Sequence, residues 1–575
     1  MISLPRPSHC QISRKQETMS KELHRSPICQ DLNLEKGKHH DAQRSLWRSI
    51  CIIVTCTAAM VANTASTSSV AIALPTIERD LNIKEEQLQW LVSAYTLSSG
   101  CLLLFFGRLA DIHGRKKAFM IGTLCQVVFS LGGGFAQDGI TLIILRAFQG
   151  IGGAATIPSA VSISYTSNWN SHRICQLGIL AHAFPPSRMR SIAFATFAAG
   201  APVGGAFGMI IGGVLTQLSS THWRSSFYLI AAASTLTCIS GMISFDADVT
   251  ATEAVDWIGA SLVTVGLVLI VFVLGQGEIA PQGWKTPYII ILLIVGIIMV
   301  SLFLLWERHL EQFMDDPSRT PSAWTPPPLM KLSLWTRAKG RMAVILVIAF
   351  LNWCAFSSWS FWVQLYYQNY LLLTPMQTML RFIPLFIVGC LCNVFVAMSV
   401  GKLPLVIFAV SGTLLTASAA IMFAVIDTTA SYWVSGFPAT VVVVFGADFV
   451  YASGTIFIAK ITPPHERSVA GALFQTVTQL GGAVGLAVST LVFNVVVANE
   501  SANAGVTVNS TGSNAPRSAQ LKGYRSAQWT CASFVLSAAL LAAIFLYGVG
   551  IVGDKQISKH VDNDKTIAVR SESDG

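Results

Sequence analysis

Three stretches of this chain carry residues able to do chemistry in an apolar setting. Asp448 is the one carboxylate placed deep within an apolar run, residues 432–459. Phe445, Asp448, Tyr451, Ala452 and Thr455 recur at helical spacing, so an acid, a phenol and a hydroxyl share one stripe. A carboxylate withdrawn from water resists ionisation, so it can take up and release a proton where a solvated one stays charged. Proton carriage is the chemistry this spacing predicts; a hydrogen bond to a neighbouring helix is the plainer alternative. In the run 141–163, Arg146, Gln149, Gly150 and Gly153 form a polar, small-residue stripe facing a bundle interior. A cation there is costly, and it either serves function or anchors helix packing. The third stretch is Gly107-Arg-Leu-Ala-Asp111-Ile-His-Gly114-Arg115-Lys-Lys117, a charged hairpin between two apolar runs. It must lie at a membrane face, and Arg108, Arg115, Lys116 and Lys117 put that face on the cytoplasmic side. Gly107 and Gly114 permit a tight turn, with Asp111 in reach of Arg108 and Arg115.

Composition says which elements hold these residues. The 575 residues are 53% hydrophobic and only 12% charged, with mean hydropathy +0.57, which marks a polytopic membrane protein. Apolar runs recur at 50–74, 88–107, 117–136, 141–163, 191–215, 226–245, 257–275, 287–306, 342–363, 376–398, 403–425, 432–459, 468–497 and 528–549. Each reaches about 19 residues or more, enough to cross about 30 Å of hydrocarbon as a helix. Fourteen crossings return the chain to its starting side, and the polar, basic N-terminal tail makes both termini cytoplasmic. The basic loops after the fourth and eighth runs agree with that parity, whereas the acidic loop around Asp246–Asp256 dissents with little orienting weight.

The expected organisation is a disordered tail over 1–49, a six-helix bundle over 50–245, two linking helices with a loop over 246–340, a second six-helix bundle over 341–549 and a tail over 550–575. The net charge of +9 is spent on orientation and anionic lipid, so no nucleic acid is implied. Twelve cysteines, mostly scattered through apolar runs, form no ligand spacing, and no HExxH, Walker or GxSxG motif appears. No enzyme, metal or cofactor is expected. Asn499 and Asn509 open two sequons in a loop after the thirteenth run, outside by parity, where glycosylation is expected. Residues 164–178 are polar and aperiodic, and joining Ile163 to Ile179 restores an apolar helix running into Pro185-Pro186. They read as an insertion, either a loop particular to this protein or an unspliced stretch of a gene model.

The hairpin resembles the loop between helices 2 and 3 of the major facilitator superfamily: a Gly, an Asp four residues on, a second Gly, then Arg-Lys. Leu145-Arg146-Ala-Phe-Gln149-Gly150-Ile-Gly-Gly153 is similar to that superfamily's helix-4 motif, whose arginine is associated with proton coupling. Gly204, Gly208, Gly212 and Gly213 resemble its antiporter motif, except that Met209 stands where a Pro is expected. Val70-Ala-Ile-Ala-Leu-Pro75 resembles the first-helix signature, with Ser66 where an acid is usual. Asp256-Trp-Ile-Gly259 and the helix count resemble the fourteen-helix drug:proton antiporters, the fungal branch in particular.

The resemblance implies an all-α major facilitator fold of two six-helix bundles plus two linking helices. It implies proton-coupled efflux of drugs, toxins or secondary metabolites, with proton-coupled uptake of a nutrient, ion or chelate as the alternative. Asp448 and Arg146 then couple protons, and Gly107, Asp111, Gly114 and Arg115 latch the cytoplasmic face. Trp353, Phe356, Trp359, Tyr451, Gln475 and Gln479 line the substrate cavity, although the tryptophans also suit an interfacial belt and the glutamines helix packing. The partners are a small-molecule substrate, protons and the lipid bilayer, with no obligate protein. The plasma membrane is the expected location, with the vacuolar membrane as the other candidate.

Overall fold

Backbone in hydrocarbon has no water to bond, so each apolar run must close its own hydrogen bonds as a helix. The computed structural model describes residues 46–83, 85–161, 188–245, 255–277, 280, 282–314, 326–399, 402–462, 467–506 and 514–547. The fourteen membrane-length helices among them are α1 (Leu46–Leu81), α2 (Glu85–His113), α3 (Arg115–Gly134), α4 (Gly139–Val161), α5 (Arg188–Leu218), α6 (Arg224–Ser244), α7 (Trp257–Gln276), α8 (Pro287–Met314), α9 (Arg341–Leu365), α10 (Pro375–Ser399), α11 (Leu405–Ala424), α12 (Gly436–Ile461), α13 (Arg467–Asn503) and α14 (Arg517–Phe545). No β-strand occurs among the described residues. The chain divides into Met1–Cys51, of which only 46–51 in the opening of α1 are described, and Ile52–Gly575. The suspected insertion at 164–178 lies outside the described residues.

In the first six-helix bundle α4 packs on α2 and α3, and α3 on α6; in the second, α9 packs on α13 and α14, and α11 on α12 and α14. The two bundles meet along α2–α13 and α5–α10, while α7 and α8 pair with each other and α7 rests on α2 and α13. The third and fourth helices of both bundles cross in the same way, backbone on backbone at glycines. A Cβ on Gly122 of α3 would stand 2.8 Å from Gly152 O of α4, and one on Gly152 would stand 2.7 Å from Gly122 O. In the second bundle Gly412 of α11 and Gly446 of α12 are related in the same way, at 3.0 and 2.7 Å. Small residues let two helices approach closely without a hydrophobic driving force, which lipid tails remove.

Local chemistry sets the helix ends. Asp256 caps α7, its Oδ1 accepting from Gly259 N at 2.9 Å, and Trp306 Nε1 of α8 donates to the same oxygen at 3.0 Å. Before α10, Gln377 N donates to Thr374 Oγ1 (3.2 Å) and Thr374 N to Gln377 Oε1 (3.0 Å), with Pro375 at the first helical position. Asp138 accepts from Thr141 N at 2.8 Å at the start of α4, and that bond holds its carboxyl below the usual range.

Two sequence expectations change. The charged hairpin over 107–117 is not a loop: α2 runs on to His113 and α3 begins at Arg115, so Gly114 alone makes the turn. Gly107 is interior to α2 and packs toward Pro158 of α4, where a Cβ would stand 3.5 Å from Pro158 Cβ. The thirteenth helix continues past 497 to Asn503, and Lys522 of α14 pairs with Glu500 in this extension at 2.6 Å. Asn499 therefore lies on a helix and not in a loop; Asn509 lies outside the described residues.

Gly114 has φ 107°, a conformation that L side chains rarely adopt. Gly114→Ala should lower stability by about 1–2 kcal/mol. Gly471→Ala, within α13 and with nothing within 4 Å of the new methyl, should be neutral or stabilise by up to about 1 kcal/mol. Thermal midpoints of the two purified variants check the pair.

Candidate functional site

The first polar centre is built from α1 to α4 around Arg146, which is 0% exposed. Its Nε donates to Leu91 O of α2 (3.1 Å), and Nη1 donates to Ser66 Oγ of α1 (3.0 Å) and to Gln149 Oε1 (2.7 Å). Gln149 Nε2 donates in turn to Ser66 Oγ (3.0 Å) and to Ser130 Oγ of α3 (2.6 Å). The guanidinium lies over the Tyr95 ring, 4.6 Å from its centroid. Every acceptor is neutral. Ser66, where the resemblance places an acid, is thus a hinge of the network and supplies no charge.

The second polar centre lies on α12. Asp448 is half-buried and accepts from Asn393 Nδ2 of α10 at 3.2 Å. One turn on, Tyr451 Oη donates to Gln475 Oε1 of α13 (2.9 Å). The Tyr451 ring contacts Trp353 (5.5 Å between centroids) and Phe474 (5.4 Å), and Trp353 contacts Phe356 (5.6 Å). Four of the six residues expected to line a cavity, Trp353, Phe356, Tyr451 and Gln475, therefore meet on one wall within a turn of the acid. This arrangement can hold a proton beside a flat, polarisable surface with one amide and one phenol for orientation.

The other two are elsewhere. Trp359 is core: it is 0% exposed, donates from Nε1 to Ala419 O of α11 at 3.2 Å and packs edge-on against Phe423 at 5.6 Å. Gln479 sits on the α2–α13 seam, where a Cβ on Gly100 would stand 2.9 Å from its Cβ. The antiporter-like glycines divide between two neighbours. Gly204, Gly208 and Gly212 face the α1 backbone at Val61, Ala65 and Ser69, while Gly213 faces Met379 of α10. Of the latch residues, Gly114 and Arg115 fall at the α2–α3 junction, Gly107 lies within α2, and the side chain of Asp111 lies outside the described set. Lys116 does more than orient the chain: its Nζ donates to Met242 O (3.0 Å) and Phe245 O (2.9 Å), capping α6. Asn499 is exposed, and Ser501 of its sequon is buried.

Sequence reading missed four participants. Asn393 is an amide deep in an apolar run, a signal that was present. Glu307 is 0% exposed in α8 and accepts from Leu329 N and Met330 N, both at 3.3 Å; ending the eighth run at 306 hid it. Gln368 Nε2 donates to Ile72 O of α1 at 3.0 Å from a π-helical turn, Tyr366–Tyr370, that no periodicity announces. Ser66 registered only as a departure from a pattern. No group of three or more His, Cys, Asp or Glu able to hold a metal occurs among the described residues.

The family model of the Major Facilitator Superfamily matches residues 56–169 and 248–486. The puromycin resistance protein of Streptomyces alboniger is 29% identical over 422 residues, covering 73% of this chain and 76% of its own. The efflux pump terJ of Aspergillus terreus is 24% identical over 523 residues, with 88% and 91% covered. The low affinity ammonium transporter of Saccharomyces cerevisiae is 27% identical over 463 residues, with 77% and 81% covered. Among solved structures, a bacterial homolog of the human lysosomal transporter Spinster superposes with TM-score 0.57 at 14% identity, covering 87% of this chain and 97% of that one.

The two tryptophans of α9 should part company on truncation. Trp359→Ala should destabilise by about 3–5 kcal/mol, because it empties a closed core site and removes a hydrogen bond to Ala419 O. Trp353→Ala, at a half-buried wall, should cost about 1–2 kcal/mol. Thermal unfolding followed by circular dichroism separates them.

Proposed function

The chain belongs to the major facilitator superfamily, and from that membership we propose that it is a proton-coupled exporter of small, flat or amphipathic compounds. The observation that carries this reading is the half-buried Asp448, one turn from the Trp353–Tyr451–Gln475 wall. Proton and substrate then share one helix, so loading one alters the setting of the other. Asp448 takes the proton, Arg146 tunes the coupling through Ser66 and Gln149, and the Gly107–Arg115 junction latches the cytoplasmic face. The bundles over 50–245 and 341–549 rock about the α2–α13 and α5–α10 seams, with both termini cytoplasmic, in the plasma membrane. The resistance protein and the efflux pump among the relatives favour export. The ammonium transporter favours a second reading, proton-coupled uptake of a nutrient or ion.

Asp448→Asn keeps the side chain's size and its place beside Asn393 but removes titration. Proton-driven efflux from preloaded cells should fall by about tenfold or more at unchanged protein level. Substrate exchange without a proton gradient should survive. Efflux with wild-type rate and pH dependence in this variant would falsify the assignment.

A further inference from the structure

Arg146 is a cation that no described carboxylate faces. Its guanidinium keeps its charge at any pH a protein meets, so burial must be answered by a partner and not by deprotonation. Three of its contacts are neutral oxygens, and Nη2 has no partner. Two further donors beside it are in the same condition. Tyr95, whose ring supports the guanidinium, and Asn63 of α1 are each more than nine-tenths buried, and neither Tyr95 Oη nor Asn63 Nδ2 has a partner. They converge: a Cβ on Gly153 would stand 2.7 Å from Tyr95 Oη and 2.8 Å from Asn63 Nδ2. Glycine at 153 lets both groups lie this close to the α4 backbone, where a methyl would collide with them. Leaving a buried donor unmade costs about 1–3 kcal/mol, and more for a charged group. A site with one fixed positive charge, three free donors from α1, α2 and α4 and no acid of its own has the chemistry of an anion site.

We propose that Arg146, Tyr95 and Asn63 form a binding site for a monoanion, the carboxylate of an organic substrate or a chloride ion. The anion completes the coordination of Arg146, as an acid on α1 would if the chain had one. It rests on the reading of the chain as a carrier only for the anion's role as cargo; binding itself needs the cluster alone. The centre is buried in this conformation, so the anion enters when the helices part.

The test is equilibrium binding, which does not depend on whether Asp448 carries the proton. Purified full-length protein in a zwitterionic buffer without added salt is titrated with sodium benzoate, its uncharged counterpart benzamide, and sodium chloride. Benzoate should raise the thermal midpoint saturably, by at least about 2 °C, and benzamide should not. R146Q should lose the response. S66D places a carboxylate where Ser66 Oγ now accepts from both Arg146 and Gln149, so it should raise the midpoint without any added anion and abolish the benzoate response. D448N should keep the response while losing proton-driven efflux, so the two readings fail separately. A benzoate response that persists in saturating chloride assigns the site to an organic carboxylate; one that chloride reproduces and saturates assigns it to chloride. Equal responses of the wild type to benzoate and benzamide, or a full benzoate response in S66D, overturn the proposal.

Discussion

A guanidinium sealed from water dictates the packing of the first four helices. Arg146 can neither lose its charge nor reach solvent, so acceptors have to be brought to it from other helices. Leu91 O and Ser66 Oγ reach it only because α1 and α2 lie close against α4. That closeness has its own requirement. A methyl on Gly150 would collide with Tyr95 O and Ser98 Oγ, and one on Gly153 with Tyr95 Oη and Asn63 Nδ2. The glycines of α4 and its arginine are therefore one device: the small residues shorten the helix separation, and the shortened separation satisfies the charge.

The second bundle answers with the opposite sign. Arg146 lies on the fourth helix of its bundle, and Asp448 lies on the fourth helix of the other. Both helices are crossed by the third of their own bundle at a reciprocal glycine pair, Gly122 with Gly152 and Gly412 with Gly446. The scaffold is thus repeated while the ionisable group is not. One half thus carries a buried guanidinium and the other a half-buried carboxylate, so the two proposed tasks, holding an anion and exchanging a proton, fall on opposite bundles. A direct ion pair between them would quench both.

The fold was legible because lipid enforces one rule on every crossing, and runs of apolar residues obey it visibly. Helix count, the Gly107–Lys117 junction and the polar stripe of α4 follow from periodicity and spacing. What escaped depends on distances between helices. Trp353 and Trp359 lie six residues apart on α9 with the same composition around them, yet one joins a polar wall and the other a closed core. Spacing along one helix cannot say which neighbour covers which face. Glu307 and Asn499 escaped for a second reason: helices run past the apolar segment when their ends are held by other parts of the protein. Glu307 is held by the backbone at 329 and 330, and Glu500, beside Asn499, by Lys522 at 2.6 Å.

The contacts also separate what moves together from what must part. Lys116 binds the last turn of α6 to the start of α3, so the charged junction belongs to the first bundle as a rigid piece. Gly204, Gly208 and Gly212 bind α5 to α1 within that same bundle, backbone against backbone. Between the bundles side chains carry more of the contact. Gln368 reaches Ile72 O with a hydrogen bond, Gly205 faces the ring of Phe386, and Gly213 faces Met379 Cβ and Pro375 O. Interfaces inside each bundle interlock at the main chain, whereas the seam between bundles combines side-chain contacts with a main-chain approach of Gly100 in α2 to Leu480 N in α13. A seam of this kind can be rearranged with both bundle interiors intact, which is what the proposed rocking requires.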